Sequence, residues 1–242
     1  MTRLLGLEFA DFTLEDAARW VLDRPAQAPF DYVVTPNADH LVRLHRRPEL
    51  MPLYRDAALC CLDSRVVAAA AGILGLAAPP VVTGSDLVAA VLRLVPPGEA
   101  ITVVGMRRSS LHALIVRTDM APPAHYDPPF GFDQDSAAMQ QAIEFVVAHP
   151  ARLVLLAVGS PRQEGLAAAI KATGRAVGLG LCIGAGLDFM SGAARRAPAW
   201  MRGAGLEWAH RLARDPRRLA RRYLWDDPPV FAMLLQERWR RL

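Results

Sequence analysis

Four segments of this chain place polar residues directly after short apolar runs, where a buried strand would stop. Val33-Val34-Thr35-Pro36-Asn37 ends in a hydroxyl and an amide. Cys60-Cys61-Leu62-Asp63-Ser64-Arg65 ends in a carboxylate, and a partly desolvated carboxylate is a competent proton acceptor. Thr83-Gly84-Ser85-Asp86 and Val158-Gly159-Ser160-Pro161-Arg162-Gln163-Glu164 add glycines that let a ligand approach backbone N–H groups. Each segment also has a plainer reading. Asn37, Asp63, Thr83 and Asp86 suit helix caps, and Gln163 suits a solvated first helical turn. Gly178, Gly180, Gly184 and Gly186 form a further glycine-rich stretch without dinucleotide spacing, so no nicotinamide site is expected there.

The second chemical signal is a block of positive charge. Twelve arginines lie between Arg195 and Arg241 against five carboxylates, a formal +7 in a chain whose total is +4. Guanidinium groups grip phosphate oxygens with paired donors, so this end of the chain is suited to phosphates or an anionic surface. Arg211, Arg218 and Arg221 are spaced to share one face of a continuous helix, although Pro216 interrupts that path. Trp200, Trp208, Tyr223 and Trp225 interleave with the arginines, a composition that also suits a membrane interface. A nucleic-acid-binding module is the rival use of the same charge. Asp133-Gln134-Asp135 looks like a metal-holding pair, yet its place at a helix start favours capping; His40 and His45 do not share a helix face. No metal site is expected.

These residues require elements to hold them. Strand-like runs occur at Tyr32–Thr35, Ala58–Leu62, Val81–Thr83, Ile101–Gly105, Leu153–Val158 and Val177–Ile183. They are continuously apolar, as strands buried on both faces should be. Helical patterns lie between them at Leu14–Leu22, Asp39–His45, Arg65–Leu74, Ser85–Leu94, Ser109–Thr118, Ser136–His149 and Arg162–Thr173. Alternation of this kind implies an α/β fold, doubly wound around a mostly parallel, Rossmann-like sheet. Pro122, Pro123, Pro128 and Pro129 predict an irregular loop over Pro122–Phe132. Val66–Ala78 is too short to span a membrane and reads as a buried helix. After Asp188 the pattern becomes short helices broken by Pro198, Gly205, Pro216 and Pro228-Pro229. The expected organisation is therefore a catalytic domain over residues 1–193 and a basic, all-helical appendage over 194–242. Early acidic residues argue against a secretory leader, and Cys60, Cys61 and Cys182 read as reduced, buried thiols of a cytoplasmic protein.

The order of these pieces resembles the WecG/TagA/CpsF glycosyltransferases. The resemblance is carried by Thr35-Pro36-Asn37, Asp63, Thr83-Gly84-Ser85-Asp86-Leu87 and Gly159-Ser160-Pro161-Arg162-Gln163-Glu164. It continues through Gly184-Ala185-Gly186-Leu187-Asp188-Phe189, Arg196-Ala197-Pro198-Ala199-Trp200-Met201-Arg202 and Gly205-Leu206-Glu207-Trp208. It closes on Arg211-Leu212, Asp215-Pro216-Arg217-Arg218-Leu219 and Arg221-Arg222-Tyr223. The resemblance implies an inverting, metal-independent transfer from a UDP-sugar to a polyprenyl-diphosphate-linked acceptor at the inner face of the cell membrane, with no cofactor. It implies Asp63 as the base, Thr35 and Gln163 as active-site partners, and Arg211, Arg218 and Arg221 as cations over the diphosphate. Asn37, Arg65, Gly84, Asp86, Gly105, Gly159, Gly184, Gly186 and Asp188 are the further residues expected to line the substrate site. Nucleic acid is not an expected partner; a homo-oligomer is an open one, as is a catalytically inactive membrane scaffold of the same fold.

Three departures stand out. Many relatives place Pro-Asp-Gly where this chain has Leu62-Asp63-Ser64, and Arg65 adds a cation two residues after the base that the resemblance implies. Met106 stands where relatives often repeat glycine.

Overall fold

The computed structural model describes residues 1–184, 186–193, 197–198, 201 and 206–241, with the side chains of Arg211 and Arg218 left outside the description. Its centre is a parallel sheet of β3 (Asp31–Val34), β4 (Leu59–Cys60), β5 (Ile101–Gly105), β6 (Ala124–Tyr126), β7 (Leu153–Ala157) and β8 (Leu179–Cys182), in the order β4-β3-β8-β7-β5-β6. A small antiparallel hairpin of β1 (Thr2–Leu4) and β2 (Leu7–Phe9) precedes it.

Alternation along each strand divides the apolar residues between two cores. Tyr32, Val34, Cys60, Val104, Val154, Leu156 and Cys182 face one core. Val33, Leu59, Cys61, Val103, Leu153, Leu155 and Leu181 face the other. That two-residue period explains why the strands read as unbroken apolar runs: both faces are covered. The first core is closed by α2 (Ala38–Arg46), α3 (Pro52–Arg55), α4 (Arg65–Ile73), α7 (Ser136–Ala148) and α8 (Arg162–Ala172). The second is closed by α1 (Leu14–Asp23), α5 (Gly84–Leu94), α6 (Arg108–Thr118) and α9 (Gly186–Ser191). The sheet is doubly wound, as expected.

Three local expectations need correction. Val81–Thr83 is no strand; Val81 makes a single parallel bridge to Leu62, because Pro79-Pro80 precede it and Thr83 already caps α5. Within Pro122–Phe132, Ala124–Tyr126 forms the edge strand β6, since the prolines bound the segment and leave its three N–H groups intact. The Val66–Ala78 stretch is not a buried helix: α4 stops at Ile73, which is 86% exposed, and only Val67 and Ala71 in it are buried.

The basic end is helical but discontinuous. Among its described residues are α10 (Glu207–Arg214), α11 (Pro216–Arg221), a π-helical turn at Arg222–Asp226, and α12 (Pro229–Arg240). Val230, Met233 and Leu234 of α12 join the first core beside α2 and α4. Glu237 Oε2 accepts from the Leu5 N–H at 2.6 Å, so the last helix is anchored to the first hairpin. The final part of the basic segment is thus built into the body of the protein.

The β5 end shows what close approach demands. Gly105 has φ +93°, and a Cβ there would lie 2.8 Å from the Ala157 carbonyl carbon and oxygen. Met106 follows with φ +70°, a left-handed conformation that costs a residue bearing Cβ roughly 1–2 kcal/mol. His125 on β6 holds this turn: its Nε2–H lies 3.1 Å from the Gly105 carbonyl and 2.9 Å from that of Met106. Gly105→Ala should therefore destabilise the protein by about 2–4 kcal/mol, from left-handed strain plus the backbone clash. A thermal or urea unfolding midpoint indistinguishable from that of the parent would contradict this.

Candidate active site

The carboxyl ends of the parallel strands meet the basic helices around a cavity of about 340 Å³. Asn37, Asp63, Arg65 and Thr83 line it from the sheet side, and Glu207, Trp208, Arg222, Tyr223 and Asp227 line it from the tail.

Local turn chemistry determines what each sheet-side residue does. At the end of β4 the cap of α4 falls to Ser64, whose Oγ accepts from the Val67 N–H at 3.2 Å. Asp63 is thereby not the cap of its own helix. Its Oδ2 accepts instead from the Gly84 N–H at 3.1 Å, at the N-terminus of α5, and its own N–H donates to the Pro36 carbonyl at 3.0 Å. These two bonds tie the ends of β3, β4 and the start of α5 into one rim. Asn37 does serve as a cap, accepting from the His40 N–H at 3.3 Å, but its Oδ1 also accepts from Arg222 Nη2 at 3.2 Å. Capping and site contact thus coexist on one oxygen. Thr35 is buried directly below, with its Oγ1 just 2.7 Å from where a Cβ on Gly84 would sit. Thr83 and Asp86 hold the α5 cap reciprocally, the Thr83 hydroxyl donating to Asp86 Oδ2 at 2.8 Å and accepting from the Asp86 N–H at 3.1 Å.

Gln163 differs from the solvated first-turn expectation. It is 2% exposed; its Oε1 accepts from the Gly184 N–H at 2.9 Å and its Nε2 donates to Glu164 Oε1 at 3.0 Å. Gln163 therefore ties α8 to the β8–α9 turn. Glu164 is equally buried, and burial pushes its carboxyl up against the opposing pull of hydrogen bonds from Gln163 and Ser160 and the charge of Arg43. Ser160 accepts from Arg43 Nη1 at 2.9 Å and contacts the Tyr54 hydroxyl at 3.1 Å. Beside them, burial and the charges of Arg43 and Arg222 hold the His40 imidazole down at about 3.

The remaining expected residues spread along the same sheet edge. Gly159 (φ +80°) and Gly184 (φ +50°) form the turns after β7 and β8, and Gly186 opens α9 against Ser85. Asp188 is half-buried; burial raises its carboxyl and Arg107 opposes the rise. None of Gly105, Gly159, Gln163, Gly184, Gly186 and Asp188 lines the cavity, which lies toward β3 and β4. Asp133 is exposed and Asp135 caps α7 through the Ala137 and Ala138 N–H groups, as the plainer reading had it. Among the described residues no group of three or more His, Cys, Asp or Glu is placed to hold a metal ion.

The tail brings residues that spacing alone did not single out. The expected single arginine face is divided, since α10 and α11 break at Asp215-Pro216. Arg221 is 87% exposed, with its Nε 3.9 Å from Asp226 Oδ2. Arg222 is the described tail cation at the cavity wall, where it meets Asn37 and lies 5.8 Å from the Tyr223 ring centroid. The side chains of Arg211 and Arg218, and Trp200 entirely, lie outside the described residues. Asp227 faces the cavity beside Arg222; burial, with Asp39 and Asp226 nearby, outweighs the pull of Arg222 and Arg43 and pushes its carboxyl up to about 6. A sequence signal for both existed in Arg221-Arg222 and Asp226-Asp227, but adjacent identical residues do not reveal which one faces inward.

The family model described as Glycosyl transferase WecG/TagA/CpsF family matches residues 2–242. A search of curated proteins finds no match. The rim geometry yields its own test. Gly84→Ala places a methyl group 2.7 Å from the buried Thr35 Oγ1, so that one of them must shift. The variant should lose about 1–3 kcal/mol of stability, and at a temperature where it is still folded its activity should drop about tenfold or more, because small misplacements at a reacting centre are costly. Unchanged activity would separate Thr35 from the site.

Proposed function

This chain belongs to the WecG/TagA/CpsF glycosyltransferase family of cell-surface polysaccharide synthesis, and on that premise we propose that it transfers a sugar from a UDP-sugar to a polyprenyl-diphosphate-linked acceptor, with inversion. The observation that carries this reading is the position of Asp63. It is a carboxylate pinned by the Gly84 N–H at the wall of a cavity that the arginine-bearing tail closes. In the proposed reaction Asp63 takes the proton of the acceptor hydroxyl. That oxygen attacks the anomeric carbon on the face opposite the leaving group, the bond from that carbon to the diphosphate oxygen breaks, and UDP departs. Negative charge then grows on the leaving diphosphate and needs cations. Arg222 and Arg65 are at the cavity wall, and Arg211, Arg218 and Arg221 are the further tail arginines assigned this role by the family resemblance. Thr35 and Asn37 orient the sugars in this scheme, and Gln163 acts by holding the Gly184 turn.

A lipid-linked acceptor calls for contact with a membrane. Among the described residues no helix is long and apolar enough to cross one. Phe231, Leu235 and Trp239 recur every four residues on α12 and are exposed, as are Leu224 and Trp225 on the preceding turn. Arg238, Arg240 and Arg241 lie at the end of the same helix. An apolar stripe bordered by arginine suits the surface of an anionic leaflet, and we place the protein there, on the cytoplasmic side.

Two measurements test these assignments. Asp63→Asn should lower turnover by about a hundredfold or more while UDP-sugar affinity by calorimetry persists, and chelator should leave parental turnover intact. Full activity in the variant would refute the base; strict dependence on an added divalent ion would refute the arginine assignment. Trp225→Ala with Trp239→Ala should weaken co-sedimentation with anionic phospholipid vesicles by roughly tenfold, given about 25 cal/mol for each Å² of apolar surface withdrawn from water. Retention of full vesicle binding would place the membrane face elsewhere.

A further inference from the structure

The Arg222–Asp227 pair is not built as a permanent ion pair. Arg222 Nε stands 3.7 Å from Asp227 Oδ2, and Arg222 Nη2 stands 3.7 Å from Asp39 Oδ2, both beyond good hydrogen-bonding distance. Asp39 is committed elsewhere, in a close pair with Arg43 of its own helix. Among the described residues, the Arg222 guanidinium donates to a neutral group, Asn37 Oδ1, at 3.2 Å. Arg222 Nε and Asp227 Oδ1 are buried and, among the described residues, make no hydrogen bond. Leaving such atoms without partners is costly, and a phosphate oxygen is the partner a guanidinium prefers. Both side chains line the cavity that contains Asp63.

We propose that Asp227 is a positioning residue that competes with the substrate's diphosphate for Arg222, so that ligand binding displaces this internal counter-ion and protonates it. The inference rests on the reading of the cavity as a UDP-sugar site and extends it to a specific pH linkage. The charged groups around Asp227 set its sign. Arg222 and Asp226 face it from the π-helical turn, and Asp39 and Arg43 from α2. Arg46 and Arg221 partly neutralise Asp226, each at 3.9 Å. Asp63, Arg65 and Glu207 share the cavity wall. With Asp227 ionised, Arg222 is screened and the incoming diphosphate meets a like charge. With Asp227 protonated, Arg222 presents its full charge to the ligand. A diphosphate beside the pair raises further the Asp227 carboxyl that burial has already pushed up to about 6, so binding takes up a proton and weakens as pH rises above about 6.

The probe is UDP-glucose, whose doubly esterified diphosphate keeps its charge between pH 5.5 and 8, titrated into the full-length protein by calorimetry. Wild-type affinity should fall about tenfold across that range, the amount set by one unit of pKa displacement. At pH 6.5, runs in buffers of different ionisation enthalpy should show a fraction of a proton taken up per ligand bound. Asp227→Asn, which keeps the shape and removes the charge, should bind with almost no pH dependence and no proton uptake. It should also bind more tightly than wild type at pH 8. Arg222→Ala should weaken binding about tenfold or more at pH 5.5, and undiminished affinity there would overturn the role of Arg222 as the cation for which Asp227 competes. Binding by wild type with no pH dependence and no proton uptake would overturn the role of Asp227 and leave the UDP-sugar reading standing. The same dependence in wild type and Asp227→Asn would overturn it equally. Absence of binding to wild type at every pH would overturn the UDP-sugar reading and this inference together.

Discussion

One backbone hydrogen bond organises the candidate site: the N–H of Gly84 to the carboxylate of Asp63. It joins the end of a strand in the sheet to the first turn of a helix from the opposite layer, so the carboxylate is fixed by two elements at once. The bond exists because Ser64 takes over the capping of α4, leaving the side chain before it to reach the neighbouring helix. Glycine is needed at residue 84 because Thr35 packs against it, closer than a methyl group would allow. Carboxylate, hydroxyl and N–H are thus held in fixed mutual positions by the packing of β3, β4 and α5.

The tail completes this arrangement and contributes to stability as well. Its last helix buries Val230 and Leu234 in the core beside α2 and α4, the helices that follow Asn37 and Asp63. Coupling the tail to those helices keeps Arg222 and Asp227 in register with the sheet-side residues across the cavity. The cost is visible in loosely paired, buried polar atoms at the junction. Such atoms are poor stabilisers, and their location at the wall of a cavity is where a protein benefits from keeping them available.

Met106 shows a different accommodation. A methionine occupies a left-handed turn that glycine would enter without strain, while its side chain is buried in the second core. Apolar contact there offsets the backbone cost, and His125 bridges the two carbonyls of the turn.

The alternation of apolar runs and amphipathic helices, the two-sided burial of the strands, and the polar residues at their carboxyl ends were all determined by the sequence alone. Each depends on local properties: the two-residue period of a strand, the turn of a helix, the reach of a cap. Prolines at 122, 123, 128 and 129 hid the edge strand between them, because breaker residues mark boundaries and say nothing about a three-residue segment inside. Gln163 was readable as a helix-opening residue but not as a buried one, since its burial comes from the β8–α9 turn lying over it. The tertiary structure also chose Arg222 over Arg221. Neighbours on a helix point about 100° apart, so the break at Pro216 and the wider π-helical turn beginning at Arg222 decide which guanidinium faces inward. Charge density is written in composition, whereas the direction of one charge is set by how the helices that carry it are packed.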